Sequence, residues 1–280
     1  MHVYRGMHPQ NRKDREDDTM RIPKHAFVVT ALIALCLTPD ARADEANAAR
    51  AKHILKSMSD HIGAQKHVTA KFEADLQAIT QTLEKVLFSS SGHLLLSRPE
   101  KIRVSRTGGY SDVELTFDGK TATIYSKPSK AFARLDIPGS VDKLIDVLQG
   151  KYGVVMPGGD LLLTNTYDDL IAGVMEAKYI GRGVVDGVEC EHLAFRNFDT
   201  DWQLWVELGA NPVPHKYVIT SKTVTAAPEY TLRIKEWKAS EGPAADAFAF
   251  KAPEGVKEMA LEAMTDIDEL PSSTNPQAGK

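Results

Sequence analysis

The sequence predicts an α+β, mainly β fold: a strongly curved antiparallel sheet of about eleven strands forming a half-barrel, covered by an N-terminal helix and a helical insert. Three observations carry this. Apolar residues alternate with polar ones through most of residues 68–237, the period of a strand with one buried face. The segments are joined by short turns, Asp118-Gly119 and Asp186-Gly187 among them, which suit hairpins and hence antiparallel pairing. Helical periodicity appears in only two places, and a sheet this large must twist, curl and be covered on its apolar face.

Taken in order, Ile54, Leu55, Met58 and Ile62 recur at helical spacing and predict an amphipathic helix over 44–62. Val68, Ala70, Phe72, Ala74, Leu76 and Ala78 then alternate with polar residues as one long strand. Residues 83–96 read as a strand broken near Ser89-Ser90-Ser91-Gly92, and Ile102 and Val104 mark the next. Val113, Leu115 and Phe117 run into the Asp118-Gly119 turn, Ala122 and Ile124 return, and residues 131–136 complete a meander. Ser140 is placed as the N-cap of a helix bearing Val141, Leu144, Ile145 and Leu148 and ending at Gly150. Pro157-Gly158-Gly159 forms a loop before a short helical stretch over 161–171. Strands resume at 174–185, 188–198, 202–207, 215–222 and 230–237.

The run from Met20 through Ala43 has the form of a secretory signal peptide. Arg21 and Lys24 give a positive start, residues 26–37 an apolar stretch, and Ala41-Arg42-Ala43 a small-x-small site, so cleavage is expected after Ala43. The apolar stretch falls short of the ~20 residues of a bilayer span, which implies no stable membrane span after cleavage. Residues 1–19 suggest a misplaced start codon, residues 44–264 one half-barrel domain, and residues 265–280 a disordered tail. Periplasmic localisation follows. Leu35 before Cys36 argues against lipidation there.

The whole chain has net charge −4; without residues 1–43, which hold seven Lys+Arg and five Asp+Glu, it is −6. That sign excludes a nucleic-acid footprint. Cys190 would be the sole cysteine of the mature chain and reads as a buried strand residue. His93, His192 and His215 fall on separate strands without a metal-ligand spacing, and nucleotide or hydrolase motifs do not occur, so the expectation is no enzyme, no metal and no cofactor. His192 and Asp201 could form a base and its orienting carboxylate, but without a nucleophile they are assigned to sheet and turn hydrogen bonds, with Trp202 and Trp205 anchoring the two faces.

The tract around Gly187-Val188, Cys190, His192-Leu193, Asp201-Trp202-Gln203-Leu204-Trp205, Pro212, Pro214, Lys216 and Val218-Ile219-Thr220 resembles a bacterial family of predicted periplasmic proteins of unknown function. The resemblance extends over about residues 50–258 and includes Phe248, Phe250 and Pro253. That family is similar in fold to the LolA/LppX lipoprotein-carrier group, which implies a curved half-barrel closed by helices around an apolar cavity. No lid arginine of the LolA branch can be matched here.

The expected function is a periplasmic, non-catalytic binding protein that holds a lipid or lipoprotein acyl chain between sheet and helical lid. The expected lining is Phe72, Leu76, Val104, Leu115, Ile124, Leu144 and Leu148. The alternative is an envelope-stress sensor or protein-interaction module, partnered by an envelope protein, whose interior is filled by side chains.

Overall fold

The computed structural model describes residues 39–244, 246–268 and 270. Helix α1 (Pro39–Gly63) is followed by a meander of six strands: β1 (His67–Ile79), β2 (Lys85–Ser97), β3 (Lys101–Gly108), β4 (Asp112–Phe117), β5 (Thr121–Ser126) and β6 (Ala131–Asp136). Helix α2 (Val141–Gly150), a 3-10 turn (Gly159–Leu162) and helix α3 (Thr166–Ile171) come next. A second meander follows: β7 (Glu176–Val185), β8 (Val188–Arg196), β9 (Thr200–Glu207), β10 (Pro214–Ser221) and β11 (Glu229–Ala239). A two-residue strand, β12 (Lys257–Glu258), brings the strands among the described residues to twelve, where about eleven were expected.

All strands share one sheet in the order β12-β6-β5-β4-β3-β2-β1-β11-β10-β9-β8-β7. The two meanders are therefore joined side by side through β1 and β11, with Val68 opposite Ala239 and Leu76 opposite Tyr230. Bulges between Lys71 and Phe72, between Tyr179 and Gly181, and between Pro214 and Lys216 add local bend and twist. The sheet stays open, and its two edges are protected. β12 pairs in parallel with β6. On β7 the Asn47 side chain imitates a strand, its Nδ2 donating to the Tyr179 carbonyl at 2.9 Å and its Oδ1 accepting from the Tyr179 amide at 2.8 Å.

This topology dictates where the insert lies. It must connect β6, near one edge, to β7 at the other, so it crosses the concave side. The helices divide the cover. Ala51, Leu55, Met58 and Ile62, spaced three or four apart on α1, are fully buried over the second meander with Leu193, Leu204 and Val206. Val141, Leu144, Ile145 and Leu148 of α2 are buried over the first meander with Leu96, Ile102, Phe117 and Ala122. The Ser140 hydroxyl caps α2, accepting from the Lys143 amide at 3.2 Å.

The expected break at Ser89–Gly92 does not occur: β2 pairs with β1 without interruption from Lys85 to Ser97. Gly92 has a packing role instead. A Cβ there would lie 2.3 Å from the Phe72 ring and 2.3 Å from the Ser105 carbonyl oxygen, so only glycine lets that ring settle on the strand. The strand expected over 188–198 ends at Arg196, because residues 197–199 make the turn to β9. Within the stretch expected as a tail, Asp266 accepts from the hydroxyls of Ser126 (2.6 Å) and Ser129 and Ile267 packs on the core, while residues 271–280 lie outside the described residues. Residues 1–38, including Cys36 and the apolar stretch, lie outside the described residues.

Candidate binding cavity

The concave side leaves room between the two cores. Ala70 is the small residue that β1 gives to its wall, with longer side chains around it. The result is a cavity of about 450 Å³. Its floor is Phe72 and Leu76 of β1, Val104 of β3, Leu115 of β4 and Ile124 of β5; its roof includes Leu144 and Leu148 of α2. The seven residues named from the sequence thus surround one space, although Leu144 and Leu148 are also fully buried core residues of α2.

Other walls were not named from the sequence. Tyr230, Leu232, Ile234 and Trp237 of β11 line the cavity from the second meander, and Val154–Met156 line it from the loop after α2. Their alternation is legible, but their placement depends on the β1–β11 pairing, which no local pattern reveals. Thr265, Ile267 and Leu270 close one side, with the Ile267 carbonyl accepting from Arg106 Nη2 at 2.7 Å.

The roof is held by polar contacts at its ends. The Val141 amide donates to the Pro99 carbonyl at 2.8 Å, and Arg98 donates to the Leu162 carbonyl. Burial pushes the Arg98 guanidinium below its ordinary pKa, partly offset by Asp142. Asp142 accepts from the Thr164 amide and hydroxyl, each at 3.2 Å. At the 3-10 turn, Asp160 accepts from Tyr217 Oη of β10 at 2.9 Å and from the Leu161 amide at 3.0 Å. Burial raises the Asp160 pKa to about 6, against the lowering effect of those bonds. Gly158, at φ +83°, lays the loop against β11 so closely that a Cβ would sit 2.7 Å from Leu232 Cδ2.

The cavity wall is mostly apolar, with Arg106 and Asp268 its charged members, and the candidate acid–base pair lies elsewhere. His192 Nε2 shares a 2.9 Å hydrogen bond with Gln203 Oε1, and its ring stacks on Trp205 at 4.0 Å on the outer face. Burial lowers the His192 pKa. Asp201 does not bond turn amides as expected; it pairs with Lys222 at 3.0 Å and Arg196 at 3.4 Å, because the end of β8 and the residue after β10 place cations beside it. His192 and Asp201 do not meet. Trp202 points into the core and Trp205 to the opposite face. Cys190 is fully buried, and its thiol pKa is pushed up to about 11 by burial. Among the described residues no group of three or more His, Cys, Asp or Glu side chains could hold a metal ion, and no helix is long and apolar enough to cross a membrane.

Residues 51–262 match the profile of the family described as predicted periplasmic protein (DUF2092). The chain belongs to this family. Among curated proteins none matches the sequence. Solved structures similar in fold include the lipoprotein LppX of Mycobacterium tuberculosis, 12% identical, covering 71% of this chain and 99% of that one with a TM-score of 0.44. MucB is 15% identical, with coverage of 73% and 64% and a TM-score of 0.42. A LolA superfamily protein of Nitrosomonas europaea is 12% identical, with coverage of 69% and 94% and a TM-score of 0.31.

Proposed function

We propose that this DUF2092 protein is a periplasmic, non-catalytic carrier or receptor for one acyl chain of a lipid or lipoprotein, held between the curved sheet and the helical insert. The observation that carries this reading is the apolar cavity itself. At ~30 Å³ for a water-sized group, its 450 Å³ accommodates about fifteen such groups, the bulk of one long acyl chain. Each methylene buried there stabilises the complex by ~0.8 kcal/mol, on the order of 10 kcal/mol gross before the entropic cost of binding. A solid core would have served an interaction module equally well, and it would not have left this space.

Leu115 is the place to test it, since it lines the cavity and is only partly buried, whereas Leu148 is fully packed and a larger residue there would strain α2. Leu115→Trp removes the room of about two water-sized groups. Expelling two methylenes costs about 1.6 kcal/mol, a little over tenfold in Kd for a fluorescent fatty acid. Ser91→Trp, on the outer face of β2, should bind like the wild type. Equal binding by all three proteins, or none by the wild type, rejects the reading.

A further inference from the structure

The walls of the cavity are not equally fixed. The roof is tied at its ends by the Val141 amide on the Pro99 carbonyl, Arg98 on the Leu162 carbonyl and Asp160 on Tyr217, and the apolar face of α2 is buried in the first core. The chain after β12 is firm as far as Met264. The Met259 amide donates to the Phe132 carbonyl at 2.9 Å, and Leu261 and Met264 are buried in the same core. Beyond Met264 side chains take over as the holds. Asp266 accepts from the hydroxyls of Ser126 and Ser129, and Arg106 Nη2 donates to the Ile267 carbonyl at 2.7 Å.

These contacts lay residues 265–268 across one side of the cavity. Arg106 of β3, Val113 of β4 and Ser126 of β5 stand directly opposite one another in register, so Asp266 is held at one end of this row and Ile267 at the other. Thr265, Ile267 and Asp268 line the cavity from there, while Thr265 and Asp268 are exposed to water.

We propose that residues 265–268 form a strap that closes this side in the free protein and lifts as an acyl chain enters, so that the C-terminal segment, and not the helical insert, gates the site. The proposal rests on the acyl-binding reading for its purpose, though not for all of its test. Lifting is inexpensive for two reasons. Asp266 Oδ1 is buried without a hydrogen-bond partner, a penalty that ends once the carboxylate reaches water. The partly buried Ile267 packs on the first core, and an entering chain replaces that apolar contact with its own methylenes. A segment held by few side chains opens locally before the helices and strands around it do.

The test uses the full chain and cis-parinaric acid, a fluorescent fatty acid, in stopped flow. Asp266→Ala, Ile267→Ser removes the carboxylate that the serines hold and the side chain that packs on the core. A strap closed in about nine molecules of ten or more leaves at most about a tenth of the wild type competent, so this variant should take up the probe at least about tenfold faster. The opposite variant, Ser129→Cys, Asp266→Cys bridged by ethanediyl bis-methanethiosulfonate, should take it up at least about tenfold more slowly than the wild type and recover on reduction. Cys190 is fully buried and stays outside that reaction.

Leu115→Cys, which puts a thiol in the cavity wall, reports opening without any lipid. N-ethylmaleimide should label it at least about tenfold faster when Asp266→Ala, Ile267→Ser is added. Faster labelling in a protein that binds no fatty acid supports the strap and rejects the acyl reading alone. Probe uptake and labelling that neither the lifted nor the bridged strap changes would overturn the proposal and place the entrance elsewhere, beside Val155 or under α2. Weaker probe binding by the lifted variant also overturns it, since the segment would then be a fixed wall.

Discussion

Asp160 makes the insert sensitive to pH, and Asp160→Asn should remove that sensitivity. The carboxyl sits at the 3-10 turn with Tyr217 Oη and the Leu161 amide as its donors. Its pKa of about 6 stands some two units above the ~3.9 of an unfolded-chain aspartate. Below pH ~4 the group is protonated in both states. Between about pH 4 and 6 the unfolded chain releases the proton readily while the folded protein retains it, so stability falls as pH rises. Above about pH 6 the loss is complete, at ~1.36 kcal/mol per unit or about 3 kcal/mol. Asparagine keeps an oxygen for the Leu161 amide and stays neutral throughout. Urea denaturation at a series of pH values from 4 to 8 should therefore show the wild type losing about 3 kcal/mol relative to Asp160→Asn as pH rises. Parallel stability curves would refute the assignment of a buried, raised carboxyl at this roof contact.

Gly92→Ala should destabilise the fold by about 1–3 kcal/mol, because its methyl group meets both the Phe72 ring and the Ser105 carbonyl, the latter part of the backbone; a thermal melt unchanged from wild type would contradict that contact. The mature protein is expected to start at Asp44. N-terminal sequencing of envelope-fraction protein should return Asp44-Glu45-Ala46, and an intact residue 20 or a lipid-bearing Cys36 would contradict secretion by this route.

The half-barrel was legible because its causes are local. Alternation on β1, the turn chemistry of Asp118-Gly119 and Asp186-Gly187, and the Ser140 cap each act within a few residues, and each left its pattern in the chain. Five of the seven cavity residues follow from the same alternation, since inward faces of neighbouring strands converge, and Leu144 and Leu148 follow from the helical spacing of α2. What local pattern could not supply was the closure between distant segments. Trp237 donates to Gln65 Oε1 at 2.7 Å across more than 170 positions, and β11 lies beside β1 only once both meanders exist. The Ser89–Gly92 run misleads for a related reason. Its small polar residues look like a turn, but the cross-strand Phe72 ring fills the space they leave. Asp201 is similar: its cations are Arg196 at the end of β8 and Lys222 just beyond β10, the strands on either side.

The central claim is that the space between sheet and insert holds an apolar ligand, and native mass spectrometry of protein purified from the bacterial envelope tests it most directly. A population heavier than the bare chain is expected, its excess mass released on collisional activation as an acyl-bearing molecule and depleted in Leu115→Trp. Bare protein alone, or an adduct carried equally by Leu115→Trp and wild type, would contradict the claim.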